Sequence, residues 1–234
     1  IAEACDSGAF DYVNLHWYYI RQDNGPALDA ARRQDMGVFI ISPTDKGGHL
    51  HMPSQRLLEL CAPLHPIVFN DLFCLQDPRV HTISVGAARP EDLELHLEAL
   101  RLLQDAASLI APVDQRLRQA ADEALGRDWM ATWSVGLPPW HATPGEINLP
   151  VLLWLYNLLE AWDLESYAKA RYGLLGSGGH WFAGANADDF DGEVSAEELQ
   201  NVLQESPWRE RIPEILRSLK QRLKGESQMR LSSV

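Results

Sequence analysis

Three short apolar runs lie between Phe10 and Leu97, and each ends in a segment rich in polar and small residues. They are Phe10-Asp11-Tyr12-Val13-Asn14-Leu15-His16, Val38-Phe39-Ile40-Ile41 and Val80-His81-Thr82-Ile83-Ser84-Val85. β-Branched and aromatic residues dominate them, which predicts strands. The stretches between read as helices. Pro26 to Asp35 begins with proline, continues alanine-rich and reaches Gly37 as a stop, while Pro66 to Gln76 is closed by Asp77-Pro78. Pro90-Glu91-Asp92 opens a third helix with an acidic first turn, and Leu93, Leu97, Leu100 and Leu103 recur at helical spacing as a predicted core-facing stripe. The order β-α-β-α-β-α implies adjacent parallel strands at 10–16, 38–42 and 80–85. Right-handed crossovers then put the helices near 26–35 and 66–76 on one side of the sheet, with an unpaired strand edge at either end. Three parallel strands are too few to close a barrel, and the chain opens at Ile1 within a helix-like segment. It reads as the back portion of a larger enzyme.

A further helix is expected from Val113 to Leu125, closed by Gly126, and the character changes after Arg127. Seven of the eight tryptophans lie from Trp129 onward. Trp129 to Pro150 reads as a Pro- and Trp-rich connection, Leu149 to Tyr172 as apolar helix and Gly173 to Gly192 as an irregular Gly-rich stretch. Ser195–Gln204 and Trp208–Leu223 read as final helices. The expected division is therefore residues 1–126, carrying the sheet, and 127–234, a helical extension.

Composition narrows the possibilities. An apolar fraction of 46% with 23% charged residues belongs to a globular protein. The net charge of −13 argues against a nucleic-acid partner, whose phosphates demand clustered Lys and Arg. The longest apolar run, Leu149–Trp162, is shorter than the ~20 residues that span a bilayer, so no membrane partner and a cytoplasmic location are expected. Cys5, Cys61 and Cys74 are unclustered in apolar contexts and read as reduced core thiols.

In parallel α/β folds ligands gather at the carboxyl ends of strands. Ser42-Pro43-Thr44-Asp45-Lys46-Gly47-Gly48 follows the second strand directly: its glycines permit close approach of backbone to ligand, and Lys46 can neutralise a phosphate. The order of a Walker loop is missing, and the plain alternative is a tight turn with a solvated lysine. Gly86-Ala87-Ala88-Arg89 precedes a helix start, where free N–H groups suit a phosphate; Glu91 and Asp92 oppose further negative charge there and equally read as residues that satisfy the dipole. His16-Trp17-Tyr18-Tyr19 reads as a packed aromatic rim. His49-x-His51 lacks a third ligand for a metal. Residues 187–198 resemble a calcium loop, with Asp189, Asp191, Gly192 and Glu198 in register, but Ala187 stands where the first aspartate belongs and Gly178-Gly179-His180-Trp181-Phe182 is a poor incoming helix. An acidic loop with Ser195 capping the next helix is the expected reading.

Together these motifs resemble the last part of an aldo/keto reductase. Phe10 to Tyr18 is similar to that family's sixth strand, Met36 to Pro43 to its seventh, and Thr82 to Leu93 to its eighth with the following helix; the likeness covers roughly the first 105 residues. It implies an α/β fold in which three parallel strands with their helices form the C-terminal portion of a (β/α)8 TIM barrel, followed by an all-helical extension. It also implies an NAD(P)-dependent oxidoreductase that transfers hydride to or from a small carbonyl or alcohol substrate. Leu137-Pro138-Pro139-Trp140, Thr143-Pro144-Gly145 and Arg171-Tyr172 resemble a subgroup whose extension carries iron–sulfur clusters. This chain has no cysteine after Cys74 to hold one.

Carried over residue by residue, the resemblance places Asn14 at the nicotinamide amide, and Ser42, Lys46, Gly47 and Gly48 in one cofactor loop. Gly86, Ala87, Ala88 and Arg89 form the other, with His96 near the adenine. Ile41 stands where many members stack an aromatic residue on the nicotinamide. Gly86 and Asp92 stand where NADP-preferring members often place cations, so the expected cofactor is NAD or NADP with NAD slightly favoured, and no metal. The catalytic tetrad of the family belongs to its first four strands, and no residue here takes those roles. The competing expectation is a non-catalytic barrel scaffold or binding module that has lost its cofactor contacts.

Overall fold

The computed structural model describes residues 1–176 and 183–225. The fold is α/β, 57% helical, with a sheet of three parallel strands. Residues Ile1–Arg118 form one compact unit and the residues from Gln119 onward a second.

The first unit runs α1 (Ala2–Asp6), β1 (Tyr12–Leu15), α2 (Gly25–Arg33), β2 (Gly37–Ile41), α3 (Pro43–Lys46), α4 (Gln55–Cys61), α5 (Pro66–Leu75), β3 (Thr82–Ser84), α6 (Pro90–Leu102) and the start of α7 (Ala106–Leu125). The strand order is β1-β2-β3, both pairings are parallel, and Asn14 lies opposite Phe39 while Ile41 lies opposite Ser84. The strands are shorter than the sequence runs. Asp35, with φ of 54°, makes the left-handed exit from α2 that the sequence assigns to Gly37. Gly37 serves another purpose: a Cβ there would lie 3.3 Å from the Tyr12 Cβ on the neighbouring strand.

Alternation along the strands separates two faces. Leu15, Val38 and Ile40 point to one side, where they share a core with Ala27, Leu28, Ala30 and Ala31 of α2 and Cys74 of α5. Both helices thus cover the same face, as right-handed crossovers require. Tyr12 and Phe39 point to the other side, where they are 60% and 38% exposed and meet edge to face at 5.6 Å.

The leucine stripe of α6 does not face the core. Leu93, Leu97 and Leu100 are exposed, whereas Asp92, His96 and Ala99 are buried. Both sets follow the same helical spacing, so periodicity alone does not choose between them. Partners for the two polar side chains decide the rotation. Asp92 accepts from the Ala88 and Arg89 amides, and His96 meets Asp71. The expected glycine loop after β2 begins instead with the helical turn α3. Helix α4, capped by Ser54, went unread in the sequence. Helix α7 begins before Val113 and carries Pro112 within it.

The second unit continues with α8 (Arg127–Thr132), α9 (Leu149–Trp162), α10 (Glu165–Tyr172), α11 (Ala196–Val202) and α12 (Ile212–Leu223), with two 3₁₀ turns at Trp140–Ala142 and Pro144–Glu146. No strand occurs among its described residues. Asp163, with positive φ, separates the two helices that the sequence runs together. Asn157, the polar residue on apolar α9, accepts from the Trp129 indole at 2.6 Å, and the Arg211 guanidinium stacks on that indole at 4.4 Å. Such pairing explains why a buried amide is tolerated there. In the calcium-like loop, Asp191 pairs with Arg217, and Glu198 closes a capping box with Ser195. The twelfth-position carboxylate thus serves the helix start. Gly178–Phe182 lie outside the described residues. No single helix among the described residues is long and apolar enough to cross a membrane.

Candidate functional site

The polar side chains singled out by the sequence in the first unit lie on strands, on strand-end loops or, as Lys46, Asp92 and His96 do, on helices α3 and α6, and their environments differ sharply. Asn14 is exposed on the bare face of β1, across from Phe39. Ser42 ends β2 in the left-handed region (φ 55°, ψ 44°), an unusual conformation for a residue with a Cβ. Its amide donates to the Ser84 carbonyl at 3.2 Å, and its carbonyl accepts from Lys46. The turn after β2 is therefore fixed to β3 as well as to itself.

Gly47 and Gly48 are buried. A Cβ on Gly47 would sit 2.0 Å from the Pro43 carbonyl oxygen and 3.0 Å from the Asn70 amide nitrogen. Only glycine fits, and the reason is packing inside the protein. Gly86 is the opposite case: it is exposed, and an added Cβ would meet nothing within 4 Å. Ala87, Ala88 and Arg89 are exposed with it. The amides of Ala88 and Arg89 donate to the Asp92 carboxylate at 2.9 and 3.0 Å. Burial alone would raise the Asp92 carboxyl, but these two amides and the Arg89 guanidinium hold it below the usual range. An internal carboxylate thus occupies the helix start that the sequence offers to a phosphate.

Sequence reasoning missed the residues that tie the three strand ends together. Helix α5 reads Pro-Ile-Val-Phe-Asn-Asp-Leu-Phe-Cys-Leu, and its two polar residues are almost fully buried, Asn70 at 2% and Asp71 at 1% exposed. Asn70 accepts from the Tyr19 amide after β1 and donates to the Pro43 carbonyl after β2. Asp71 bonds Nδ1 of His96 at 2.5 Å, and His96 Nε2 lies 3.5 Å from the buried Thr44 hydroxyl. Burial alone would depress His96, but the hydrogen bond and charge of Asp71, with a smaller contribution from the Gly86 backbone, raise it above the ordinary imidazole range. Burial pushes the Asp71 carboxyl up, and His96 offsets part of that rise. Two adjacent polar residues in an otherwise apolar helix were the available signal.

A second polar chain sits at the end of β1. The Tyr18 phenol donates to the Ile41 carbonyl, which commits its one proton, so the 2.7 Å contact from His16 Nδ1 has the imidazole donating. His16 is therefore the Nδ1–H tautomer. Burial, then Lys46 and Arg21, lower its pKa to about 4, keeping it neutral at physiological pH. Trp17 and Tyr18 are buried, in keeping with a packed aromatic rim. His49 and His51 stand with ring centres 5.8 Å apart, and no group of three or more His, Cys, Asp or Glu that could hold a metal occurs among the described residues. Cys5, Cys61 and Cys74 are free and buried. A cleft of about 360 Å³ lined by Trp17, Phe73 and Arg79 lies at the far end of α5, where Arg79 is already paired with Asp77 and Asp29.

Comparison with protein-family models, with curated proteins and with solved structures gives no match.

Proposed function

We propose that this chain supplies the cofactor half of an oxidoreductase site of aldo/keto reductase type, binding NAD or NADP extended across the carboxyl ends of β1, β2 and β3. The observation that carries the reading is the one-sided sheet. Parallel sheets are stable with both faces covered. Here helices cover one face, while Tyr12, Asn14 and Phe39 stand on the other. A (β/α)8 barrel asks for that arrangement, because its strands turn one face to the helices and the other to the barrel interior. The outward leucines of α6 fit a neighbouring βα unit on that flank.

In this reading Asn14 bonds the nicotinamide amide, Ser42, Lys46 and the turn before Gly47 line the middle of the cofactor, and Gly86 to Arg89 meet its adenosine end. His96 acts behind the site, since Asp71 and Thr44 hold it in the interior. No residue of the chain is assigned to the catalytic tetrad, and the substrate class, a small carbonyl or alcohol, rests on the resemblance alone. Asp92 disfavours a 2′-phosphate on the adenosine ribose through charge repulsion, which supports NAD at least as strongly as NADP.

A second reading, a barrel-derived scaffold without cofactor, is favoured by one observation: Asp92 already takes the amides that a phosphate would use. Titration of the chain with NADH and NADPH, followed by tryptophan quenching, separates the two. Saturable binding weakened by Asn14→Ala supports the cofactor reading; a folded chain that binds neither supports the scaffold.

A further inference from the structure

We propose that Asn24 is a modification site, converted to aspartate and isoaspartate by attack of the Gly25 amide nitrogen whenever the first turn of α2 opens, and that conversion unties the start of α2 from the end of β1. The proposal does not depend on the cofactor reading.

Of the seven asparagines, only Asn24 precedes a glycine. A side chain on the following residue shields the attacking nitrogen, and glycine leaves it open. In the reaction the Gly25 nitrogen gives up its proton and bonds to Cγ of Asn24. The bond from Cγ to the carboxamide nitrogen breaks, and that nitrogen leaves as ammonia. Water then opens the cyclic imide. Opening at Cγ gives aspartate; opening at the main-chain carbonyl carbon gives isoaspartate, in which the chain runs through Cβ and Cγ. Water is the one co-reactant.

The fold restrains every group the ring closure needs. The carboxamide nitrogen donates to the His16 carbonyl at 2.9 Å. The Gly25 N–H donates to the Gln22 carbonyl at 3.2 Å, which holds the proton that must leave. With ψ at 11°, the Gly25 nitrogen eclipses the Asn24 nitrogen instead of Cβ, so it is turned away from Cγ. These restraints sit at a helix start with Gln22, Asp23 and Pro26 exposed around it, the kind of place where local opening takes little free energy. One opening releases the carboxamide, the N–H and ψ together. Conversion and hydrogen exchange of the Gly25 amide therefore pass through the same open state.

The product differs from Asn24 where the tie is made. A carboxylate only accepts, so the His16 carbonyl loses this donor and faces negative oxygens instead. The Asn24 side chain makes no bond to the amides of its own helix; its contact runs back eight positions and closes the loop from Trp17 to Asp23. Within that loop the Tyr18 and Arg21 backbones exchange two bonds of 2.9 Å. Isoaspartate also displaces the carbonyl that the Ala27 and Leu28 amides use at 3.0 and 3.1 Å.

Ageing the full chain at mildly alkaline pH, with peptide mapping by mass spectrometry, tests the site. Asn24 should convert to both acids while the other six asparagines keep their amides. Compared with a synthetic peptide of residues 20–28, conversion in the chain should be slowed by the protection factor of the Gly25 amide, measured by NMR exchange, to within about threefold. Urea below the unfolding transition should speed conversion and Gly25 exchange in parallel. Gly25→Ala, whose Cβ would make an ordinary contact 3.5 Å from the Trp17 ring, should slow conversion in chain and peptide alike. Asn24→Asp should lower protection of the Tyr18 and Arg21 amides about fivefold, the scale of one hydrogen bond. Conversion at the peptide's rate despite a protected Gly25 amide, exchange that urea accelerates without conversion, or unmoved Tyr18 and Arg21 amides in Asn24→Asp would each overturn the proposal.

Discussion

The two loops that the sequence offers as ligand sites look alike on paper and behave oppositely in the fold. Ser42 to Gly48 is largely buried apart from Asp45, strained at Ser42 and tied to Asn70 through the Pro43 carbonyl. Gly86 to Arg89 is exposed and held by Asp92. Glycine means close packing in the first and open space in the second. Small residues and a cation beyond a strand therefore do not by themselves say whether a loop waits for a ligand or has been filled from within.

The largest effect is expected at Gly47. Gly47→Ala drives a methyl group into the Pro43 carbonyl, and urea unfolding should show a loss of roughly 3 kcal/mol, the upper end for overpacking with no room to relax. An effect within about 0.5 kcal/mol would mean that the loop after β2 is as loose as the other one. Asn70→Ala should follow at about 2 kcal/mol, because the Tyr19 amide and the Pro43 carbonyl lose their partner in a buried place; thermal melts of the variant would check it.

Asp92→Ala should destabilise by about 1 kcal/mol, as for other helix-start acceptors. It should also raise the affinity for NADPH relative to NADH, measured by tryptophan quenching. A variant with an unchanged cofactor ratio would separate Asp92 from the ribose site. Acid should reproduce the structural part of this effect. The folded-state pKa of Asp92 is depressed, so its contribution is present above the unfolded carboxyl value and is lost as pH falls through the lower folded one, below about 4. Protection of the Ala88 and Arg89 amides at pH 3 against pH 6 gives the readout. Gly86→Ala should be the smallest change, within about 0.5 kcal/mol, since its Cβ meets nothing.

These contrasts mark what the sequence makes legible. The three strands, their parallel order and the helices on one face follow from β-branched runs separated by helical segments, a pattern written locally along the chain. Helix α6 shows the limit. Its leucine stripe and its Asp92–His96–Ala99 stripe have the same period, and the choice between them rests on Asp71, which lies 25 positions from His96 in the chain. Asn70 and Asp71 were hidden for a related reason. Apolar neighbours made α5 read as plain core, while their worth lies in carbonyls and amides of other loops. Pro112 within α7 is a case where tertiary packing outweighs a local break signal.

The claim on which the rest depends is that this chain holds half of a dinucleotide site. Isothermal titration of the folded 234-residue chain with NADH, repeated with Asn14→Ala and with NADPH, tests it most directly. The account predicts one saturable site per chain, NADH bound at least as tightly as NADPH and affinity reduced several-fold by Asn14→Ala. Absence of heat for either cofactor from a chain shown to be folded, or binding indifferent to Asn14, would contradict it.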